Sequence, residues 1–333
     1  MTAPKIVCFG ELMLRLSPPN GTPLLAWPTL DANFGGAEAN VAVALAQLGD
    51  AAAVVTALPQ NPLGDAAIAA LRRAGVATDR IQRARGRLGL YFLTPGAGLR
   101  ASTVLYDRAD SVFARSGAGD YDWPSLLAGA EWLHLSGITP ALGQRSAELA
   151  IEAATAARAL GVRVSLDGNY RANLWEAWDS DPRAILHALV STASLLIGNH
   201  RDVSLLLGRS FSGERADRRA AALAAFEAYP QLEAIASTCR RVESSARHYL
   251  AARLDTREGE VHTDEVTLDG IVDRLGTGDA FAAGVLHGLL GGGIDVQRAL
   301  HLAALKHFTP GDFSATTLAE LDAFDPGNLD VRR

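Results

Sequence analysis

The chain contains 333 residues, of which 48% are hydrophobic and 20% charged, and its formal net charge is −6. A chain of this length can bury a sizeable core, and open α/β sheets with insertions reach this size as one body. The mildly acidic balance argues against a nucleic-acid-binding surface.

The sequence shows no targeting or cross-linking signal. No uncharged apolar run is long enough to span a membrane, and no apolar signal region precedes the first strand-like run. Cys8 and Cys239 lie far apart and form no C-x-x-C motif, so neither a disulfide framework nor a zinc site is indicated. We therefore expect a soluble, cytoplasmic protein without a membrane partner.

The first elements predict a buried strand followed by a helix. Residues 6–10 form a short apolar run that ends in glycine, which is typical of a buried parallel strand. A glycine pair, Gly35 and Gly36, precedes a helix that contains Asn40 and ends at Gly49. The pair can serve as packing glycines or as a flexible N-cap, or as a hinge that lets the backbone approach a small ligand near Asn40.

A hairpin is predicted within the next part of the chain. After a strand at 53–57 and a helix at 65–74, strand-like runs at 88–93 and 101–108 are joined by a turn rich in glycine and proline. An inserted hairpin usually covers a site. Its Tyr91, Tyr106 and Arg108 are therefore candidate ligand contacts, or else ordinary strand aromatics and a solvated arginine.

From residue 132 strands and helices alternate again. Strands at 132–137 and 162–167 flank a helix at 144–160, a rhythm that predicts a parallel sheet covered by helices on both faces. Ligands in such sheets bind beyond the carboxyl ends of the strands. A polar segment at 167–175 follows one such end, and its Arg171 suits a bidentate contact with a carboxylate or phosphate, or a loop salt bridge.

The remaining elements lead to a glycine-rich turn. A strand at 195–199 runs into a helix opened by Asn199 and Asp202, residues that suit either capping or contacts with metal-bound water. A helix at 216–228, a strand at 234–238, a hairpin at 248–266, and helices at 279–290 and 295–308 follow in chain order.

The turn before the helix at 279–290 is the strongest candidate active site. Gly276 and Gly278 can adopt backbone angles closed to other residues, so that consecutive N–H groups surround an anion at the positive end of a helix. Asp279 in the first turn can accept a proton from an attacking hydroxyl, which is phosphoryl-transfer chemistry. The alternative is a tight turn whose aspartate only caps the helix.

Several common motifs are absent. The sequence has no G-x-x-x-x-G-K-[ST] loop and no early G-x-G-x-x-G, which excludes a Walker-type kinase and weakens a dinucleotide site. His287, His301 and His307 lack the H-E-x-x-H spacing of a zinc site.

Together these features resemble the ribokinase-like (PfkB) carbohydrate kinases over nearly the whole chain. The resemblance rests on the early glycine pair with Asn40, the hairpin, the N-x-x-D motif at 199–202, and GTGDAFAAG at 276–284. Within the family, FGGAEAN at 34–40, LSGI at 135–138 and DGNYRANLW at 167–175 are similar to 2-keto-3-deoxygluconate kinases.

The resemblance implies a three-layer α/β/α core with a mainly parallel sheet and a small β-sheet lid. The core would comprise residues 1–10, 35–84 and 113–333, and the lid over the sugar site residues 11–34 and 85–112. The implied activity is transfer of the γ-phosphoryl group of ATP to the 6-hydroxyl of 2-keto-3-deoxygluconate. ATP and Mg²⁺ are implied, with a monovalent cation as a further candidate.

The resemblance also implies roles for individual residues. Asp279 would be the base and contact the substrate, and the amides of Gly276, Thr277 and Gly278 would form the anion hole. The implied sugar-acid contacts are Gly35, Gly36, Asn40, Tyr91, Tyr106, Arg108, Asn169 and Arg171. Asn199 and Ser237, with Gly276 and Gly278, would border the nucleotide, and Asp202 would contact Mg²⁺ through water.

Three positions depart from the family pattern. Thr277 replaces the usual alanine, which leaves the amide in place. The common K-x-G-x-x-G segment is here STCRRV at 237–242, so the motif assigns no nucleotide contacts there. Asp202 replaces a glutamate and has a shorter reach toward a metal.

Other functions stay open at this point. A kinase of the same fold that acts on a neutral sugar such as fructose or ribose, a catalytically silent sugar-binding regulator, and a dinucleotide-dependent oxidoreductase are the alternatives. An edge strand of the lid can pair with a second subunit and form a homo-oligomer.

Overall fold

The computed structural model describes residues 3–19, 22–26 and 28–327. The predicted core and lid ranges also contain residues 1–2, 20–21, 27 and 328–333, which lie outside the described residues.

Strands and helices alternate along most of the described chain. The strands are β1 (Ile6–Phe9), β2 (Met13–Ser17), β3 (Asp31–Gly35), β4 (Ala52–Pro59), β5 (Ile81–Ala84), β6 (Leu90–Thr94), β7 (Thr103–Asp107), β8 (Trp132–Ser136), β9 (Arg163–Asp167), β10 (Leu195–Ile197), β11 (Ala234–Val242), β12 (Arg247–Thr256), β13 (Glu260–His262) and β14 (Val266–Asp269). The helices are α1 (Ala37–Gln47), α2 (Pro62–Arg73), α3 (Trp123–Leu126), α4 (Gln144–Ala159), α5 (Ala172–Trp175), α6 (Pro182–Val190), α7 (His200–Leu207), α8 (Arg215–Ala228), α9 (Thr277–Leu290), α10 (Val296–Lys306) and α11 (Leu318–Asp322).

The main sheet is mostly parallel, as the sequence predicts. Its order is β13-β12-β11-β10-β9-β8-β1-β4-β5, and β14 pairs with β12. Every pair from β11 to β5 is parallel, whereas β12 pairs antiparallel with β11, β13 and β14. The carboxyl ends of the parallel strands therefore lie along one edge, where ligands bind in such sheets.

Helices cover both faces of the main sheet and form two hydrophobic clusters. In β1, Ile6 and Cys8 belong to one cluster, and Val7 and Phe9 belong to the other, because successive side chains of a strand point to opposite faces. The first cluster contains apolar residues of α1, α9 and α10, and the second contains those of α4, α6 and α8. This arrangement confirms the predicted three layers.

A separate small sheet has the order β3-β2-β6-β7. Strands β6 and β7 pair antiparallel and confirm the predicted hairpin, and β2 joins β6 in parallel. Along β2, buried side chains alternate with half-buried ones, whereas all five residues of β7 are exposed. That this sheet covers the sugar site as a lid stays a prediction.

Several element boundaries differ from the sequence expectation, and two of the differences have a clear local cause. Helix α2 begins at Pro62, because the side chain of Asn61 accepts hydrogen bonds from the amides of Leu63 and Gly64 and caps the helix three residues before the predicted start. Strand β11 extends to Val242, because it pairs with β12 over its whole length. Among the helices that the structure describes, none has both the length and the apolar character needed to cross a bilayer.

Candidate active site

A cavity of about 1010 Å³ lies at the carboxyl ends of β9, β10 and β11. Its wall includes the small sheet, the start of α1 and the turn that precedes α9. This volume is at the upper end of the range for small-molecule sites, so the cavity has room for two ligands. The predicted site residues in its wall are Gly36, Asn40, Tyr91, Tyr106, Asn169, Arg171, Asn199, Asp202, Ser237, Gly276, Thr277, Gly278 and Asp279.

The glycine turn has the geometry of an anion-binding site. Gly276 is the N-cap of α9 and adopts a left-handed conformation with φ 78°. A side chain there would also collide with the carbonyl oxygen of Asp312, so glycine is required for two reasons. The amides of Thr277 and Gly278 lie in the first turn, where helix geometry leaves N–H groups without an internal acceptor. They are available to an anion in the cavity.

Asp279 lies in this first turn and does not cap the helix, because α9 has no side-chain cap hydrogen bond. Its Oδ2 instead accepts a hydrogen bond of 2.6 Å from Nδ2 of Asn40, whose Oδ1 accepts one of 3.3 Å from the amide of Gly36. This chain of hydrogen bonds joins the glycine pair before α1 to the candidate base.

The environment of Asp279 makes its carboxylate more basic. Burial raises its pKa to about 6, and the charge of Asp312 acts in the same direction. The hydrogen bond from Asn40 and the positive charges of Arg171 and Lys306 oppose this rise. A pKa near 6 suits a general base, because the carboxylate is mainly ionised at pH 7 and still binds a proton better than an exposed aspartate.

Two further acidic residues face the cavity. Burial, together with the charges of Asp279 and Asp202, raises the pKa of Asp167 to about 8, while Arg171 opposes the rise. Burial also raises the pKa of Asp202, whose carboxylate accepts a hydrogen bond of 2.7 Å from the amide of Asn199. The three carboxyls are thus close enough for the charges of Asp279 and Asp202 to disfavour ionisation of Asp167.

Asn199 and Asp202 form a capping box at the start of α7. The side chain of Asn199 accepts from the amide of Arg201 at 2.9 Å, and the Asp202 carboxylate accepts from the amide of Asn199. The capping interpretation of these residues is therefore confirmed. Because both also line the cavity, the nucleotide and metal contacts predicted for them stay open.

On the small sheet, Tyr91 and Tyr106 line the cavity with ring centroids 5.9 Å apart. The hydroxyl of Tyr91 donates a short hydrogen bond to Asp312. Gly35 lies behind the wall, where a side chain would collide with the carboxylate of Asp312. Its position indicates close packing of the sheet against the loop at Asp312.

Arg108 is not brought into the cavity wall. It is buried, and its Nε donates to Glu11 at 2.8 Å, because the buried carboxylate of Glu11 requires a charged partner. Its Nη1 is buried without a hydrogen-bond partner among the described residues. That Arg108 contacts the sugar acid stays a prediction.

The sequence gives no signal for a buried ionic network beneath the glycine turn. Arg15 of β2 donates to Asp273 at 2.6 Å and to Asp312 at 2.8 Å. Asp273 also accepts from the amides of Leu275 and Gly311, both at 3.0 Å. The network ties the small sheet to the segment that leads into Gly276. Asp273 and Asp312 lie 258 and 297 residues after Arg15 in the sequence, so no local pattern predicts the network.

A buried lysine supports the same loop. Nζ of Lys306, at the end of α10, donates to the carbonyl oxygens of Thr309 and Gly311 at 2.9 and 2.8 Å. Burial lowers the pKa of Lys306, while Asp273 and Asp312 oppose this shift. The lysine therefore holds the loop whose Asp312 carbonyl lies against Gly276.

Glu38 is another buried ionisable residue that the sequence patterns do not single out. Its Oε1 accepts hydrogen bonds from the Ser136 hydroxyl at 2.7 Å and the Thr139 hydroxyl at 3.0 Å. Burial raises the pKa of Glu38 to about 7. Glu38 thereby fastens the first turn of α1, which carries Asn40, to the end of β8.

Comparison with known proteins places the chain among sugar kinases. The family model described as "pfkB family carbohydrate kinase" matches residues 3–306. A 2-dehydro-3-deoxygalactonokinase of Haloferax volcanii is 32% identical over 97% of this chain and 96% of its own length. A 2-dehydro-3-deoxygluconokinase of Dickeya dadantii is 30% identical over 91% of this chain and 94% of its own.

The solved structures agree with this. The crystal structure of 2-dehydro-3-deoxygluconokinase from Thermotoga maritima superposes with a TM-score of 0.89. The two sequences are 39% identical, and the match covers 96% of this chain and 98% of the other.

Proposed function

Because this chain belongs to the pfkB family of carbohydrate kinases, we propose that it transfers the γ-phosphoryl group of ATP to the 6-hydroxyl of 2-keto-3-deoxygluconate, another name for 2-dehydro-3-deoxygluconate. The observation that carries the proposal is one cavity in which the base candidate Asp279 adjoins the glycine turn and faces Arg171. The substrates in the names of the similar kinases support the choice of a sugar acid.

The reaction needs a base and an anion hole in contact. The carboxylate of Asp279 takes the proton of the sugar hydroxyl. At the same time, the hydroxyl oxygen of the sugar forms a bond to the γ-phosphorus of ATP. The bond from that phosphorus to the bridging oxygen breaks, and ADP leaves with the electron pair. The amides of Gly276, Thr277 and Gly278 stabilise the negative charge on the transferring group, and Asn40 keeps Asp279 oriented.

Arg171 is the residue that selects an acid. It lies exposed in the cavity, and the hydrogen bond that its guanidinium makes, at 3.1 Å to the carbonyl of Tyr170, leaves further donors available. The loop around it is held in place: Asn169 adopts a left-handed conformation with φ 38°, and Tyr170 stacks on the buried Trp175. A positioned guanidinium matches a carboxylate in geometry and charge.

The residues near Asp279 fit a magnesium ion. The described residues contain no group of three or more His, Cys, Asp or Glu side chains that would hold a metal alone. Mg²⁺ accompanying a nucleotide needs only one or two carboxylates besides phosphate and water. These carboxylates would come from Asp167 and Asp202, two crowded carboxyls with raised pKa values. Asn199 lies beside them. Bound Mg²⁺ offsets charge on the phosphate oxygens. The monovalent cation and the cytoplasmic location stay predictions.

A second candidate substrate is 2-keto-3-deoxygalactonate. It is favoured by the name of the Haloferax volcanii relative, whose match covers 97% of this chain. The two sugar acids differ in the configuration of one carbon atom and carry the same carboxylate, so Arg171 serves both.

A coupled assay of ADP release tests the proposed function. Purified full-length protein receives MgATP with 2-keto-3-deoxygluconate, 2-keto-3-deoxygalactonate, fructose, ribose, or no sugar. We expect turnover with one or both sugar acids and far less with the neutral sugars. Preferred turnover of fructose or ribose would assign a neutral-sugar kinase, and no turnover with any of them would favour a silent sugar-binding protein.

We also propose that two subunits associate through the small sheet. Strand β7 is an edge strand, and its Val104, Leu105 and Tyr106 expose 40%, 60% and 38% of their surface. An exposed edge with apolar side chains is a template for pairing with a second copy.

A further inference from the structure

Arg240 and Arg274, two of the four arginines in the cavity wall, have no acidic partner among the residues that the structure describes. Arg240 lies on β11 and Arg274 lies two residues before Gly276, and both belong to the cavity wall. Within residues 3–19, 22–26 and 28–327, neither guanidinium has a hydrogen bond or an ion pair, and Nε of Arg274 is buried without a partner. Arg240 is exposed to the cavity and Arg274 is half-buried, and positive charges that line a concave wall favour the binding of an anion.

The two charges also repel each other. Loss of solvation and the positive charge of Arg274 lower the pKa of Arg240, and burial lowers the pKa of Arg274. His248 and His307, which lie close by, feel the same field: burial, followed by the charges of Arg274 and Arg240, lowers the pKa of His248. Burial lowers the pKa of His307 to about 4, and Arg240 contributes to that shift. Both shifts favour the neutral form of the ring, and a histidine supplies no negative charge in either form.

The geometry of β11 explains why Arg240 faces the cavity. Side chains alternate along a strand, so Thr238 and Arg240 share the face that lines the cavity. Cys239 and Arg241 lie on the other face, where Arg241 stacks over the ring of Tyr249 at 3.6 Å and pairs with Glu265 at 3.5 Å. The nine-residue pairing of β11 with β12 occupies the place of the K-x-G-x-x-G segment.

We propose that Arg240 and Arg274 form an anion site that binds the phosphate chain of the nucleotide, in place of the glycine-rich segment that this chain lacks. The inference rests on the proposed function, in which ATP is the phosphoryl donor. Two guanidiniums match a triphosphate, which carries several negative charges, better than one carboxylate. Arg274 directly precedes the turn that receives the γ-phosphoryl group, whereas the acid-binding Arg171 interacts with Asp167, Asp202 and Asp279.

Isothermal titration calorimetry on the full-length protein tests this site in the absence of turnover. MgATP, inorganic tripolyphosphate and 2-keto-3-deoxygluconate are titrated separately into the parent protein, Arg240→Gln, Arg274→Gln and Arg241→Gln. The last variant is the matched control, because it removes the neighbouring arginine from the opposite face of the same strand. Circular dichroism checks that each variant is folded, and Arg274→Lys replaces Arg274→Gln if the latter is not.

We expect Arg240→Gln and Arg274→Gln each to weaken MgATP and tripolyphosphate by more than about tenfold, because each removes charge-assisted hydrogen bonds. Arg241→Gln should bind both ligands like the parent protein. Affinities for MgATP within about threefold of the parent in the folded variants would overturn the proposal. A loss of sugar-acid affinity with unchanged MgATP affinity would overturn it as well and assign the pair to the sugar. Because nucleotide affinity is measured without sugar, a wrong sugar substrate leaves this test intact.

Discussion

At the scale of single residues, the site depends on how burial changes the chemistry of a few carboxyls. Asp279 is held by Asn40 at 2.6 Å, and burial raises its pKa to about 6. Asp167 and Asp202 beside it also have raised pKa values. Three carboxyls that lie this close together need positive charge nearby to ionise. Arg171 provides part of that charge.

We expect Asp279→Asn to reduce kcat by on the order of 10²–10⁴ while sugar binding changes only a few-fold. Asparagine keeps the shape and can still accept the hydrogen bond from Asn40, but it cannot take the proton. Steady-state kinetics and direct titration of the sugar acid measure the two effects. A variant with nearly normal kcat would remove Asp279 from the role of base.

The pH dependence of kcat/KM should report the same carboxyl. Asp279 must be ionised to act, and its pKa of about 6 lies above the ordinary value, so activity should fall as pH decreases through about 6 and reach a plateau above pH 7. Initial rates between pH 5 and pH 8 give the profile. A rate that stays constant down to pH 5 would contradict this assignment, and the residual activity of Asp279→Asn should lack the step.

Arg171→Ala should separate acidic from neutral substrates. Hydrogen bonds to a charged group contribute roughly 1.5–3 kcal/mol, so loss of the guanidinium should lower kcat/KM for the sugar acid by more than about tenfold. Any residual turnover of a neutral ketose should hardly change, because it never makes the contact. Equal losses for both substrates would show that Arg171 holds the loop or the phosphates instead.

At the scale of elements, the glycine turn is anchored to the small sheet. Arg15 of β2 bridges Asp273 and Asp312, Tyr91 of β6 contacts the same Asp312, and Lys306 of α10 holds the loop between them. The position of the turn therefore depends on how the small sheet packs against the core.

Arg15→Met should be strongly destabilising. It leaves the buried carboxylates of Asp273 and Asp312 without their charged partner, which costs roughly 3–5 kcal/mol in the free energy of unfolding. The matched control is Arg83→Met, which breaks the more exposed pair with Asp65 and should cost less than about 1 kcal/mol. Urea denaturation measures both. Similar losses in the two variants would show that the network contributes no more than a surface pair.

At the scale of the whole molecule, the small sheet forms one wall of the cavity and the carboxyl ends of the parallel strands form another. The outer edge of that sheet is β7, whose residues are exposed throughout. A second subunit packed there would bury this edge and restrict the sheet that forms one wall of the site.

We expect a dimer for the parent protein and a monomer for Leu105→Asp, because a charge on the exposed edge opposes pairing with a second copy. Leu63→Asp is the control: it places the same charge on an exposed leucine of α2, outside the small sheet. Light scattering coupled to size-exclusion chromatography gives the masses. A monomeric parent protein, or a dimer that survives Leu105→Asp, would contradict assembly through β7.

The sequence alone determined the architecture and predicted the glycine turn as the centre of the candidate site, because both depend on local patterns. The alternation of apolar strands with helices predicts the parallel sheet, and the turn from Gly276 to Asp279 needs only neighbouring residues to form. The hairpin followed from the same kind of local pattern, and most of the residues that the family resemblance predicted as contacts line the cavity.

Only the tertiary structure decided which distant groups meet. Asn40 and Asp279 are 239 residues apart in the sequence, and Arg15 pairs with Asp312, which lies 297 residues further along the chain. Sequence patterns carry hydropathy and turn chemistry, whereas a buried charge takes whichever partner the packing brings within hydrogen-bond distance. For this reason Arg108, predicted to reach the sugar, pairs with Glu11, while Arg240 and Arg274 face the cavity unpaired among the described residues.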